Sequence, residues 1–179
     1  MSSSSWIQRG LHGLRAIALL LILLLRLLLL FPEPAQADIR TIEEAPGQML
    51  YQTRTTVKDP QGNRWQAIAF KRHKTDGTDT LGLRLVGFPG AADIDRDRPL
   101  RLVDSLGKEL SAKDTSAKIF TDESAPEPYI GQYDLGAVLA NIQSAVPLEL
   151  QIPVHSGDPV VLLISPPTLA EWKQLPDAN

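Results

Sequence analysis

Between Leu148 and Val154 every second side chain is aliphatic: Leu148, Leu150, Ile152 and Val154 stand apart from Glu149 and Gln151. A helix, turning about 100° per residue, would scatter those four around its circumference, whereas an extended strand collects them on one face. The segment therefore reads as a strand with one buried side. The same period of two runs from Met49 through Tyr51, Thr53, Thr55 and Val57, with Gln52, Arg54, Thr56 and Lys58 between, and returns at Leu81, Leu83 and Leu85. A chain patterned this way builds its core from sheets.

Turn chemistry divides the strands. Asp59-Pro60-Gln61-Gly62-Asn63 follows the Met49 run, with Pro60 setting the turn and Gly62 free to take positive φ, and Arg64 to Arg72 reads as the returning strand. Leu81 to Leu85 is the third strand, closed by Gly87-Phe88-Pro89-Gly90; Pro99 to Val103 is the fourth, and Ala117 to Thr121 the fifth. The alternating Leu148 run and Val160 to Ile164, separated by His155-Ser156-Gly157-Asp158-Pro159, form a second hairpin. Its last strand is apolar on both faces, which predicts a central position or a helix above it. Helical spacing appears twice, at Leu135, Val138, Leu139 and Ile142 after Asp134, and at Leu169, Trp172 and Leu175 after the Thr168/Glu171 capping-box pair. About seven short strands with one or two short helices predict a mainly β fold, an antiparallel β-sandwich or barrel, with the sandwich favoured.

Residues 1–37 differ in kind from this pattern. A basic start with Arg9 and Arg15, an apolar run from Ala16 to Phe31 and the small-residue triplet Ala35-Gln36-Ala37 follow the layout of a secretory signal peptide. Cleavage after Ala37 would leave Asp38 first and residues 38–179 as a single β-rich domain. The alternative is a retained anchor over residues 16–31; that run is short of the roughly 20 residues a spanning helix needs, and Arg26 inside it opposes insertion. The leader has no Arg-Arg pair and no cysteine follows it, so the general secretory route is expected.

Export gives the cysteine count its meaning. Small secreted domains with thin cores often rely on disulfides, and this chain has no cysteine, so it must hold itself by packing. The same absence excludes thiol catalysis, thiolate metal sites, iron–sulfur clusters and covalently attached haem. Removing Arg9, Arg15, Arg26 and Glu33 from the 18 basic and 21 acidic residues leaves 15 and 20. A mature chain acidic by five charges, without a basic stripe interleaved with aromatics, argues against a nucleic-acid partner.

Several groups of residues have the types that chemistry needs. Asp93, Asp95 and Asp97 alternate, and Asp104 lies eleven residues after the first, which resembles a calcium loop. The resemblance breaks at Arg98, where such a loop needs glycine, and at Asp104, where it needs glutamate; Arg96 and Arg98 would also offset the carboxylates. His73 lies near Asp76 and Asp79, and His155 is followed by Ser156 and Asp158, the residue types of a nucleophilic relay but without a Gly-x-Ser-x-Gly elbow. Glu43, Glu44, Asp122, Glu123 and Glu127 are loop carboxylates whose separations the sequence leaves open. Phe88 and Tyr129 sit on proline-bounded loops, where an aromatic can anchor a partner, although a lid over the core explains them as well. No phosphate-cradling glycine loop, HExxH or GxGxxG occurs, so no cofactor is expected.

The segments EEAPGQMLYQTRTTVKD (43–59), WQAIAFKR (65–72), LRLVGFPG (83–90) and IFTDESAPEPYIGQYDL (119–135), in that order, resemble a family of small exported cyanobacterial proteins of unknown function. The resemblance implies a home in the periplasm or thylakoid lumen and carries no reaction, cofactor or catalytic residue. The expectation is an exported, non-catalytic binding or accessory protein with a protein partner, such as a membrane complex. An extracytoplasmic hydrolase or sugar-active enzyme using the loop carboxylates with His73 or His155, and a calcium-stabilised domain using Asp93, Asp95 and Asp97, stand as alternatives.

Overall fold

Nine strands appear in the computed structural model, which describes residues 39–119 and 127–178, all within the unit Gln36–Asn179. They are β1 (Arg40–Ala45), β2 (Gln48–Lys58), β3 (Arg64–His73), β4 (Asp79–Gly87), β5 (Leu100–Asp104), β6 (Glu109–Ala112), β7 (Ile130–Asp134), β8 (Leu148–Ile152) and β9 (Val160–Ile164). Two antiparallel sheets result, one ordered β1-β2-β3-β4-β7 and the other β6-β5-β8-β9. The fold is mainly β, as the alternation predicts. The leader, its cleavage point and the anchor alternative lie outside the described residues, as do Asp122 and Glu123.

Each sheet turns its apolar rows to a shared core. Tyr51, Trp65, Ala67, Leu83, Leu85 and Tyr133 of the larger sheet and Leu100, Leu102, Leu148, Leu150, Ile152, Leu162 and Ile164 of the smaller belong to one buried cluster. The long β2–β3 hairpin holds its register from Met49↔His73 to Lys58↔Arg64. Its turn is built as the sequence predicts: Gly62 has φ of 88°, and the buried Asp59 carboxylate accepts from the Asn63 backbone N–H at 2.8 Å and from Trp65 Nε1 at 3.2 Å. Burial works against ionisation of Asp59, but these donors outweigh it and hold its pKa below the usual value.

Along one seam the sandwich is stitched closed. After β6 the chain reaches Asp114, which bridges Tyr133 of β7; Thr115 N–H donates to Gln132 O at 2.7 Å and Asp134 N–H to Lys113 O at 2.9 Å. Helix α1 (Gly136–Leu139) is a single turn, and α2 (Pro166–Gln174) buries Leu169 and Trp172, with Leu175 just beyond it. Buried Lys71 ties the C-terminal segment to β3, its ammonium donating to the carbonyls of Pro176 and Ala178 at 2.9 Å each.

Four expectations need correction. Ala117 to Thr121 is not a strand where it is described: Ser116–Lys118 is a 3-10 turn, and residues 120 and 121 lie outside the described residues. β1, β6 and β7 take the count to nine, short or polar strands whose pairing comes from their neighbours. β9, expected at a central position or under a helix, is an edge strand with Leu163 58% exposed. Helix α2 starts at Pro166, two residues before Thr168 of the Thr168/Glu171 pair, from an extended Ser165. Pro166 and Pro167 explain that: proline suits a first helical turn whose N–H groups lack partners, and it forces the preceding residue to be extended.

Candidate functional site

Register decides what the outer face of the larger sheet carries. Core-facing Trp65, Ala67, Ala69 and Lys71 alternate along β3 with outward Gln66, Ile68, Phe70 and Arg72. Across the strands, Arg54, Ile68, Arg84 and Gln132 form one outward row. Gln52, Phe70, Gly82 and Asp134 form the next, and Leu50, Arg72 and Thr80 the one after. An outward phenylalanine would ordinarily face water, yet Phe70 is only 5% exposed and Ile68 only 8%.

The cover comes from arginines and a glycine. Guanidinium carbons of Arg72 and Arg84 lie 5.5 and 5.8 Å from the Phe70 ring centroid, the geometry of cation–π contact. The ring also leans over Gly82, where an added Cβ would overlap its far edge. A glycine beneath an aromatic on the neighbouring strand is a recognised way to fill a sheet surface.

Each guanidinium in the cluster is held differently. Arg72 makes a two-pronged pair with Glu44, Nε to Oε2 at 2.7 Å and a terminal nitrogen to Oε1 at 3.0 Å. Glu44 reaches this face because β1 carries a bulge between Glu43 and Ala45, which re-aims a side chain. Donation from Arg72 is the main reason the Glu44 pKa lies below the ordinary value, and Gln48 adds a second donor at 2.8 Å. Arg84 donates from Nε and a terminal nitrogen to Gln132 Oε1 at 3.1 and 2.8 Å, a neutral acceptor. Burial, then repulsion from Arg72 and Arg54, pull the Arg84 pKa down against the attraction of Glu44. The Arg54 guanidinium has no ion pair or hydrogen bond among the described residues.

Gln132 is fixed from behind. Its backbone N–H donates to Ser116 Oγ at 2.9 Å, and Ser116 Oγ donates to Asp114 Oδ2 at 2.8 Å. The stitched seam thus locks the residue that orients Arg84. Beside the cluster runs a groove of ≈ 580 Å³, lined by Phe70, Arg72, Lys74, Thr80, Gly82, Lys118, Gln132 and Asp134 among others. It meets a smaller cavity of ≈ 60 Å³ bounded by Glu44, Gln52, Arg54, Phe70, Arg72 and Arg84.

The residues singled out from sequence are dispersed. His73 Nδ1 lies 2.6 Å from Asp79 Oδ1 at the end of β3, and Lys71 Nζ lies 3.3 Å from Asp79 Oδ2. Asp76 accepts from the Thr78 backbone N–H of its own turn at 2.9 Å. His155 is exposed beyond β8, its backbone N–H donating to Asp93 O at 2.9 Å. Ser156 and Asp158 line a separate cavity of ≈ 350 Å³ with Asp59 and Asn63, at the opposite end of β3 from His73. Ten strand residues span roughly 30 Å, so the two histidines belong to different places.

Asp95 is held by Arg98 at 2.6 Å, while Asp93 and Asp97 are exposed. Among the described residues no group of three or more His, Asp or Glu stands where it could hold a metal ion. Phe88 is 61% exposed beside a cavity of ≈ 340 Å³ that includes Trp65 and Pro89. Tyr129 is half-buried on the adjoining loop, its carbonyl accepting from Gly87 N–H at 2.9 Å; the structure brings these two loops together. Of the carboxylates expected in loops, Glu43 and Glu44 lie instead on strand β1, because pairing with β2 draws that polar segment into the sheet; Glu43 and Glu127 are exposed, and Glu44 joins the cluster.

Sequence reasoning passed over Arg54, Arg72 and Arg84 as ordinary polar positions of strands, and it placed no strand at Gln132. The available signal was Phe70 and Ile68 at outward positions between arginines. No curated protein and no solved structure matches the chain. A family model described as a protein of unknown function, DUF3122, matches residues 37–175, and the chain belongs to that family.

Proposed function

We propose that this protein works outside the cytoplasm, in the periplasm or thylakoid lumen, as a non-catalytic binding or accessory protein. Its contact surface is the outer face of the larger sheet. The observation that carries the reading is the cluster of three guanidiniums, Arg54, Arg72 and Arg84, gathered on one face of a strand framework around Phe70. The Arg72 fork, fixed by Glu44, and the Arg84 fork, fixed by Gln132, lose little freedom on meeting a partner, which favours recognition. Donation from Arg72 to Glu44, and from His73 to Asp79, lowers both pKa values, which suits carboxylates that serve as fixed ionic partners and not as the proton-donating acid of a hydrolytic pair.

Site-specific photo-crosslinking in native cells tests the proposal. A crosslinker at Thr80, in the groove, is expected to trap a partner that one at Leu163, on the opposite sheet, does not. Equal capture from both positions, or none from Thr80, rejects this surface. Mass spectrometry of the mature N-terminus in the same cells tests the location: a start at Asp38 in a soluble lumenal or periplasmic fraction is expected, and an intact leader in the cytoplasm refutes it.

A further inference from the structure

We infer that the Arg54–Arg72–Arg84 cluster seats a phosphate- or sulfate-type oxyanion, with the remainder of the bearing molecule lying in the adjoining groove. The inference rests on the proposed binding surface and specifies its ligand chemistry.

Three like charges on one sheet face repel each other, and a fold that only needed to cover Phe70 could use uncharged side chains. The carboxylate paired within the cluster is Glu44, engaged by Arg72 in both prongs; Asp134 shares the outward face one row away and accepts from the Gly136 backbone N–H. Arg84 is satisfied by a neutral amide, so its charge has no direct counter-ion, and Arg54 is unpaired among the described residues. Two positive charges are therefore in excess here, one on half-buried Arg84 and one on exposed Arg54, on a chain whose formal net charge is −3. A local reversal of sign against the net charge concentrates anions where the molecule as a whole repels them.

Shape narrows the class. Guanidinium forks match the planar O–X–O edges of phosphate and sulfate, each offering two parallel donors. The cavity between the arginines, at ≈ 60 Å³, is a few times the ~10–15 Å³ that holds one water on the same measure, which leaves room for a small anion. The wider groove, ≈ 580 Å³, opens from the same Phe70 and Arg72 and carries Lys74 and Lys118 on its walls together with the carboxylates of Asp79 and Asp134, so the excess positive charge lies at the arginine end. A monoester fits this division, its charged head at the arginines and its body along β4 and β7. The head could come from a soluble ester or from an anionic lipid.

The test uses the isotope-labelled protein as purified from its native cells, with inorganic phosphate and sulfate as probes and the arginine Nε–H resonances as readout. Saturable shifts of the Arg72 and Arg84 signals are expected. Arg54→Gln, which breaks no contact among the described residues, should weaken phosphate binding roughly tenfold or more, the value of a lost charge-assisted hydrogen bond. Glu44→Gln should tighten it, because the competing carboxylate is gone, and a purely structural cluster predicts no such gain. Arg101→Gln, on the other sheet, should change nothing.

Co-sedimentation with phosphatidylglycerol vesicles against phosphatidylcholine vesicles separates the sources. Binding to the anionic vesicles that phosphate displaces identifies a headgroup, and phosphate binding without vesicle binding identifies a soluble anion. If phosphate, sulfate and anionic vesicles all leave the two arginine signals unmoved, or if Arg54→Gln binds as wild type, the oxyanion assignment is overturned. Crosslinking from Thr80 that persisted in that case would leave the binding surface standing and remove only its proposed ligand.

Discussion

The two sheets share one core and turn unlike faces to solvent. On the smaller sheet, Arg101, Val103, Glu149, Gln151, Val161 and Leu163 face outward. The Arg101–Glu109 pair there, at 2.7 Å, joins two side chains that are each more than half exposed, and Leu163 stands in water. Such a face is an ordinary solvated surface. On the larger sheet the outward apolar residues Ile68 and Phe70 are buried by arginines, and the Arg72–Glu44 pair is about three-quarters buried on both sides. Alternation alone treats both faces as polar exteriors. The difference shows that a solvent face becomes a built site when its side chains pack on one another and not only on the core.

Truncation should reveal this asymmetry most strongly. Phe70→Ala is expected to cost about 3–5 kcal/mol, as for a buried aromatic, and Leu163→Ala to stay within roughly 0.5 kcal/mol. Urea unfolding midpoints at unchanged m-value measure both, and comparable losses would erase the contrast. Next in size is Gly82→Ala. At a strand position with room, glycine to alanine ordinarily stabilises through the unfolded chain. Here the new methyl group meets the Phe70 ring, so destabilisation of about 1–3 kcal/mol is expected. Shortening the ring as well, in Gly82→Ala with Phe70→Leu, should make the two losses markedly non-additive; simple addition would mean that the ring does not depend on the glycine.

Ion pairs give a smaller effect. A double-mutant cycle on Glu44 and Arg72 should yield a coupling near 1 kcal/mol, and the same cycle on Arg101 and Glu109 less than about 0.5 kcal/mol. The smallest effect is its pH dependence. The folded pKa of Glu44 is depressed, so its contribution is fully present above the unfolded value of about 4.3 and fades as pH falls through the folded value. The stability gap between wild type and Glu44→Gln should thus hold from neutrality to about pH 5 and close below that. A gap that instead grew on acidification would contradict the direction of the shift.

Much of the scaffold was legible in the chain. The β2–β3 hairpin, its Asp59–Asn63 turn, β4, β5 and the β8–β9 hairpin follow from alternation and turn residues, because local sterics and burial on one face are written into consecutive side chains. β7 was harder to read. In Ile130-Gly131-Gln132-Tyr133-Asp134 only Tyr133 advertises the core face, and the segment is a strand because β4 on one side and the Asp114–Ser116 stitch on the other supply its hydrogen bonds. Apart from the Glu44 side chain packed on Arg72, β1 is exposed, and it owes its existence to pairing with β2.

The candidate site divides along the same line. By itself the sequence determined a mainly β domain without thiol chemistry, put Arg54 and Arg84 at the alternate positions of their strands, and put Phe70 and Arg72 on the strand that returns from the first turn. Only the tertiary structure decided that these four meet, because strand order and register are non-local and adjacency across a sheet leaves no mark within either strand. The tilt of Phe70 over Gly82, the bulge that swings Glu44 toward Arg72 and the seam that fixes Gln132 beside Arg84 join residues 12, 28 and 48 positions apart in the chain. Packing between such distant pieces turns four unremarkable polar-face positions into one charged, preorganised surface.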